Sequence, residues 1–355
     1  MDSFAHVQAL VNGVGLALAG DGEVAAPSPL SAHIPRPGGW PWRMFLILTL
    51  AQFILNWGVR RAFMYPVARC LFGAVPTSQT ARLASRARRK RAAREDKFAQ
   101  SAMEAFFYSW YFVMGGTLIW GAPWFWPSEQ WWEGDIISTD GGGLGAAAPM
   151  PRDLTCFYVA YAARYMQGLV SVFLEVKRKD FWEMVIHHAT TIVLIYLSFV
   201  AGMTRVGLVV MVLLDFADPF LHVAKCCKYV SESQRSGSGG NWGLLSDIWF
   251  GVFAVSFTLT RNVMYPYVLW SAWIEGPVAW RAKSLGGCSP DMDYMEMLMT
   301  VMQMGLGWCM LLLAVLQVLQ LIWQYFLMKA IVKVVMGQEL KDTRSDSESE
   351  GVKEE

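Results

Sequence analysis

The residues best suited to chemistry are two adjacent histidines, His187 and His188, in an otherwise apolar stretch that also holds Glu183 and Thr191. An imidazole titrates near neutral pH, so it can accept a proton from an amine or act as a nucleophile. On a helix, His187 and Thr191 share a face at i, i+4, whereas His188 points ~100° away. We therefore expect the two histidines to have different roles.

A second polar segment lies in the next apolar stretch and contains Asp215, Asp218, His222 and Lys225. The i, i+3, i+7 spacing predicts that the first three share one helix face. Buried carboxylates orient an imidazole and favour its charged form, as they do in acyl-transfer sites. Two antiparallel helices would bring the histidine pair and the aspartate pair to about the same level, so the sequence predicts one polar site.

Both segments lie in a chain built to cross a membrane. Of its 355 residues, 54% are hydrophobic, and a bilayer core of ~30 Å needs about 20 mostly apolar helical residues. Ionisable side chains inside hydrocarbon are costly and mark functional sites by default, although a single one can serve as a hydrogen-bond device between helices. The sequence predicts an all-α integral membrane protein with about seven transmembrane helices, at residues 42–63, 102–122, 154–174, 181–202, 206–226, 247–270 and 295–329.

Basic residues alternate between the connections, which predicts the topology. They are concentrated at 69–97, 177–179 and 225–235, and the positive-inside rule places these connections in the cytosol. The N-terminus is then luminal and the C-terminus cytosolic. We divide the chain into a luminal leader (1–41), a first span with its basic cytosolic loop (42–96), a domain of six spans (97–330) and an acidic, disordered cytosolic tail (331–355).

The topology also predicts depth. At ~1.5 Å per residue, His187, His188 and Asp218 lie roughly 10 Å below the cytosolic face. Arg261 and Asn262 come late in the sixth span, nearer the lumen. There they would either close the far end of a lipid tunnel or bind helix carbonyls.

Metal binding is the main alternative to acid–base or acyl-transfer chemistry for these residues. Membrane hydroxylases and desaturases hold iron with many histidines, and this chain has five, two of them in the leader. We expect no metal, although a single-metal site stays an alternative. The six cysteines show no CxxC spacing, and no GxSxG nucleophile elbow is present.

These residues carry a resemblance to a known family. The segment 177–188, a basic lead followed by Asp-Phe, a spacer and the His-His pair, resembles the signature of the ceramide synthases, the longevity-assurance family of the TLC superfamily. The Asp-x-x-Asp unit at Asp215 and Asp218, the nearby Lys225 and the segment 260–266 are similar as well. The resemblance covers about residues 97–329.

The resemblance implies a TLC-type barrel of six helices around a lipid tunnel. It also implies an N-acyltransferase of the endoplasmic reticulum that joins an acyl group from acyl-CoA to the amine of a sphingoid base. Acyl-CoA is then a substrate, no cofactor is expected, and membrane lipids surround the site. The implied catalytic residues are His187, His188, Asp215 and Asp218. The implied substrate-binding residues are Glu183, Thr191, His222, Lys225, Arg261 and Asn262.

Family members act as homo- or heterodimers, some need a small accessory subunit, and nucleic acid is not a partner. The tail serines Ser345, Ser347 and Ser349 sit among acidic residues and are expected phosphorylation sites. Three questions stay open at this point. His can act as a general base for direct attack or as a nucleophile that forms an acyl-imidazole. CoA phosphates could meet Arg88–Arg91 or other cytosolic basic residues, which could equally contact lipid headgroups.

The third open question is the class of protein. A non-enzymatic TLC-domain protein that senses lipids or assists translocation is one alternative, although such a protein has no need of a proton acceptor. A transporter is another, because intramembrane Asp and His can relay protons, but transporters are expected to show inverted repeats with paired helix breaks.

Overall fold

The computed structural model describes residues 40–72, 81–132, 152–175, 180–234, 241–284 and 306–336. Regular structure in these ranges is helical, and no strand occurs in them. The α-helices, in chain order, are α1 (Trp42–Val59), α2 (Tyr65–Leu71), α3 (Ala81–Ile119), α4 (Arg152–Leu174), α5 (Phe181–Val200), α6 (Thr204–Asp215), α7 (Asp218–Gln234), α8 (Trp242–Leu259), α9 (Tyr265–Ser284) and α10 (Leu306–Val335).

Several of these helices are long and apolar enough to cross a bilayer, because a span needs about 20 such residues. Within the described ranges there are five such segments: Trp42–Leu71, Phe181–Val200, Thr204–Gln234, Trp242–Ala279 and Leu306–Lys333. The prediction of an all-α multi-pass membrane protein is confirmed. The predicted spans 102–122 and 154–174 fall on α3 and α4, which are too polar to be among the five, so the count of seven and the barrel stay predictions.

The basic run before the second predicted span is helical, which corrects its interpretation as a loop. Helix α3 begins at Ala81 and continues without interruption to Ile119. Acidic residues within the run pair with the arginines: Arg91 Nε lies 2.8 Å from Glu95 Oε1 at i, i+4, and Arg60 lies 2.9 Å from Asp96. Both pairs reduce the repulsion between neighbouring cations, and the i, i+4 pair within α3 stabilises the helix by a few tenths of a kcal/mol.

The predicted fifth span is broken into two helices. Helix α6 ends at Asp215 and α7 begins at Asp218, with Phe216 and Ala217 between them. The cause is Pro219, which has no N–H to donate to the carbonyl of Asp215 in a continuous helix. The expectation that Asp215, Asp218 and His222 share one face of a single helix is therefore wrong, because the first aspartate closes one helix and the second opens the next.

The chain divides into two compact units. The first comprises residues 1–50, 115–210 and 262–355, and the second comprises 51–114 and 211–261. In the first unit, α5 packs against both α4 and α10, and α9 packs against α10 and a 3₁₀ turn at Ser128–Trp131. The Tyr158 hydroxyl donates a 2.9 Å hydrogen bond to the Thr204 carbonyl, and Gly207 leaves room for that hydroxyl.

The second unit is centred on the pair α7 and α8. The Ser246 hydroxyl of α8 donates to the Ala224 carbonyl of α7 at 3.0 Å. A small apolar cluster supports the far end of α7 and includes Ala68, Phe72, Phe98, Tyr229 and Val230.

Two π-helical turns interrupt the regular helices, at Arg60–Met64 and Thr260–Met264. The pattern Arg-x-x-Met-Tyr-Pro occurs at both, in residues 61–66 and 261–266. Each proline removes the N–H that would bond to the carbonyl four residues earlier, so the chain takes the wider i→i+5 turn just before it.

Several predicted features lie outside the described residues. These are nearly all of the leader (1–39), the basic segment 177–179, the start of the last predicted span (295–305) and the serine-bearing tail (337–355).

Candidate functional site

The histidine pair is carried by α5, whose ends follow from the sequence. The helix begins after Asp180, and the Met184 amide donates to the Asp180 carbonyl at 3.0 Å. At the other end, Gly202 has a φ of 71°. Its amide donates to the Phe199 carbonyl and the Met203 amide donates to the Ser198 carbonyl, the Schellman arrangement that stops a helix. The helix that carries the pair therefore has 20 residues and ends at Val200.

His188 is held on the α4 side of the helix. Its Nδ1 lies 2.7 Å from the Met184 carbonyl oxygen. A carbonyl only accepts, so Nδ1 carries a proton and donates it to Met184. The Nε2 edge of the ring packs against Gly168 so closely that a Cβ there would lie 2.8 Å from Nε2. The orientation of the His188 ring is thus fixed at both edges.

His187 faces a different helix. Its ring centroid lies 5.2 Å from that of Trp323 on α10, in an edge-to-face arrangement. The two imidazoles are 5.5 Å apart, and Tyr165 of α4 contacts both, at 5.8 and 5.6 Å. The two histidines have different surroundings, because His188 is fixed by its own helix and α4 whereas His187 also packs on α10. That they have different roles stays a prediction.

Helix α10 contributes a polar stripe that sequence reasoning missed. Gln317, Gln320 and Gln324 recur at i, i+3, i+7 in the apolar part of the helix that precedes Lys329, and Trp323 lies beside them in the sequence. The Asn262 Nδ2 donates to Gln324 Oε1 at 2.9 Å. Three amides in an apolar span were a readable signal, because each is costly in hydrocarbon unless it faces other protein groups.

The remaining predicted charges lie in the second unit, where Arg261 and Asp218 form an ion pair. Arg261 Nη2 is 2.7 Å from Asp218 Oδ2 and 2.7 Å from the Leu214 carbonyl, and the guanidinium lies 4.4 Å from the Phe257 ring centroid. Both side chains are largely buried, at 7% and 18% exposed. Arg261 therefore lies beside Asp218, and its placement nearer the lumen stays a prediction. The helix-carbonyl contact was one of its two predicted roles.

The other predicted site residues have the following surroundings. Asp215 is buried at the end of α6, and His222 stacks on Tyr108 with 5.6 Å between the ring centroids. Lys225 lies near the middle of α7, and Glu183 lies in the first turn of α5. The meeting of the histidine pair with the aspartates stays a prediction. In the described part of the chain, no group of three His, Cys, Asp or Glu side chains is arranged to hold a metal ion.

The chain has several helices that are long and apolar enough to cross a membrane, and it is therefore a polytopic α-helical membrane protein. These helices also carry buried polar groups, including His188 and the ion pair of Arg261 with Asp218. A model of the TLC domain matches residues 97–329. The chain therefore belongs to the TLC domain family.

Similar curated proteins include several ceramide synthases. The chain is 30% identical to ceramide synthase 5 of Mus musculus over 256 residues, which cover 71% of the chain and 52% of that protein. It is 31% identical to ceramide synthase 5 of Homo sapiens over 267 residues (73% and 56%). It is 28% identical to ceramide synthase LOH1 of Arabidopsis thaliana over 303 residues (84% and 87%). The chain thus spans about half the length of the two mammalian relatives, and the resemblance inferred from its motifs is confirmed.

Proposed function

We propose that this chain is a ceramide synthase, which transfers a fatty acyl group from acyl-CoA to the amino group of a sphingoid base and releases CoA. The observation that carries the proposal is the His187–His188 pair on α5, inside the segment matched by the TLC domain, with the ring of His188 oriented by its hydrogen bond to the Met184 carbonyl. A lipid sensor has no use for an oriented proton acceptor in hydrocarbon, where such a group is costly.

The two histidines have different tasks in this proposal. His187 acts on the substrate, because its ring faces Trp323 and shares a helix face with Thr191, where further polar groups are buried. His188 is a positioning residue, because its Nδ1 is used by the Met184 carbonyl and its opposite edge packs on Gly168. Asp215 is buried at the end of α6, and Arg261 holds Asp218 in an ion pair, so both carboxylates are part of the polar interior of the second unit.

Both chemical routes use the same His187. As a general base it takes a proton from the sphingoid amine during direct attack on the thioester, a contribution of typically 10²–10⁴-fold in rate. As a nucleophile it first displaces CoA and forms an acyl-imidazole, which the amine then resolves.

The cellular setting belongs to the same proposal. The enzyme resides in the endoplasmic reticulum membrane with a luminal N-terminus and a cytosolic C-terminus, in accord with its basic connections. It works as a dimer or with an accessory subunit, as the resemblance implies.

The test is acyl transfer by the purified full chain in nanodiscs. A panel of acyl-CoA donors is mixed with dihydrosphingosine, and ceramide is quantified by mass spectrometry. We expect product from the wild type and a loss of at least about 10²-fold in His187→Ala. The matched pair His188→Asn and His188→Ala isolates the positioning role: Asn can still donate to the Met184 carbonyl, so it should keep more activity than Ala.

Two results would oppose the proposal. Absence of product with every donor, from a monodisperse wild-type protein supplied with a co-expressed partner, would favour the lipid-sensing alternative. Equal activity of His187→Ala and wild type would move the chemistry away from the pair. Intact mass after acyl-CoA alone separates the two routes, since only the acyl-imidazole route adds one acyl group to the protein.

A further inference from the structure

Three buried polar atoms on α5 and α10, the two helices that meet at His187 and Trp323, have no hydrogen-bond partner within the described part of the chain. They are Trp323 Nε1, Gln320 Oε1 and Thr191 Oγ1. Their residues are 7%, 1% and 8% exposed, respectively. Buried polar groups are nearly always paired, because a buried donor or acceptor without a partner is costly. Three such costs in one small region call for a ligand that supplies the partners.

The three residues are brought together by the packing of α5 on α10. Thr191 follows His187 at i, i+4 on α5, so the two lie on one face of that helix. Gln320 and Trp323 are neighbours at i, i+3 on α10, and the Trp323 ring contacts His187 edge-to-face at 5.2 Å. The contact between Trp323 and His187 therefore brings these two helix faces together at His187, the histidine that we propose acts on the substrate.

The chemistry of the three atoms is specific. The indole N–H only donates, the threonine hydroxyl donates or accepts, and the glutamine oxygen only accepts. None of them is charged, so a phosphate or an ammonium ion is a poor ligand for the set. A neutral carbonyl oxygen matches the two donors, and an N–H or O–H matches the glutamine.

Resting on the acyltransferase function above, we propose that Trp323 Nε1–H and Thr191 Oγ–H bind the carbonyl oxygen of the acyl thioester and hold the oxyanion that forms there. Gln320 Oε1 accepts a hydrogen bond from the attacking amine. Donors aimed at developing negative charge in a site without water are usually the largest single contribution to acyl transfer, and loss of one such donor costs about 10²–10³-fold in kcat.

The step balances on either route. A nitrogen lone pair, from the amine or from His187, forms a bond to the thioester carbon, and the π electron pair moves onto the oxygen. When the C=O bond re-forms, the C–S bond breaks and CoA leaves as a thiolate. On the direct route, the proton lost by the amine passes to His187 and from there to the thiolate. On the acyl-imidazole route, the ring proton of His187 passes to the thiolate. The amine then attacks the acyl carbon, the bond from that carbon to the ring nitrogen breaks, and the proton lost by the amine returns to the ring. The oxyanion occupies the same place on both routes, so the proposal does not depend on which one operates.

The test removes the N–H donor of Trp323 and keeps an aromatic ring at that position. Trp323→Phe preserves the aromatic contact with His187 but removes the N–H. Trp308→Phe on the same helix is the matched control, because Trp308 is 59% exposed. We expect kcat to fall about 10²-fold in Trp323→Phe, with KM raised by up to about 10-fold because the bound thioester loses one hydrogen bond, and no change in Trp308→Phe. Thr191→Val gives a second, nearly isosteric variant, and Thr191→Ser should restore activity.

A binding measurement keeps the proposal testable without turnover. The affinities of hexadecanoyl-CoA and of its thioether analogue S-hexadecyl-CoA, which lacks the carbonyl, are compared by calorimetry. We expect the wild type to prefer the thioester by about 10-fold, the value of one hydrogen bond, and Trp323→Phe to lose that preference. Equal affinities in the wild type, or the same behaviour in Trp323→Phe and Trp308→Phe, would overturn the proposal. A wild type that prefers the thioester yet forms no ceramide supports the carbonyl site and refutes the acyltransferase function.

Discussion

The ion pair between Arg261 and Asp218 allows the effect of a substitution on stability to be estimated from the structure. The two charges are 2.7 Å apart and largely buried, so their attraction is about 6 kcal/mol at an effective dielectric constant of ~20. Most of this is offset by the cost of removing both groups from water, so the pair adds little net stability. Removal of only one partner, however, leaves the other charge buried, which costs about 3–5 kcal/mol.

We therefore expect Asp218→Asn and Arg261→Met each to destabilise the protein by about 3–5 kcal/mol, and the double variant to recover much of that loss. At ~2 °C per kcal/mol, each single variant should unfold about 6–10 °C below the wild type. The assay is thermal unfolding in one detergent, followed by intrinsic fluorescence at a fixed scan rate. Ceramide formation per folded molecule, measured in parallel, separates a structural role of Asp218 from a catalytic one.

The control is Asp96→Asn, which breaks the pair with Arg60. Asp96 is 57% exposed, and an exposed pair contributes at most about 1 kcal/mol. The reasoning is refuted if Asp218→Asn shifts the midpoint no more than Asp96→Asn does. It is also refuted if the double variant loses the sum of the two single effects, since partners in one buried pair cannot be independent.

Two further predictions concern glycines that make room for side chains. Gly168→Ala should lower ceramide formation by about 10–100-fold, because its Cβ would lie 2.8 Å from His188 Nε2 and displace the ring; Gly116→Ala, with open space around it, should leave activity unchanged and gain about 0.5–1 kcal/mol of stability. Gly207→Ala should cost about 1–3 kcal/mol, because its Cβ would overlap the Tyr158 hydroxyl; an unfolding midpoint equal to the wild type would contradict this.

Rules that use only residues close together in the sequence correctly predicted helix α5 and the different surroundings of its two histidines. A run of apolar residues between Asp180 and Gly202 predicts the helix, and the 100° step between neighbours predicts that His187 and His188 have different surroundings. Both statements depend only on residues a few positions apart, which is why they need no knowledge of the tertiary structure.

Rules of the same kind cannot find a distant partner, and they were wrong where a single proline intervenes. Arg261 is 43 residues from Asp218 in the chain, and no spacing rule connects them. The prediction that the aspartates share one helix face was wrong because Pro219 ends the continuous helix. The glutamines of α10 carry no charge and therefore do not stand out as ionisable groups do, although neutral amides are also costly in hydrocarbon.

The π-helical turn at Thr260–Met264 affects how the whole segment Trp242–Ala279 should be read. A wider turn adds one residue to the coil, so a helical wheel drawn from Trp242 is out of phase by about 100° for every position after Met264. Residues that such a wheel assigns to lipid then face protein, and the reverse. A substitution scan along this segment follows two wheels, one on each side of the turn, and tolerance to polar residues should change phase at Pro266.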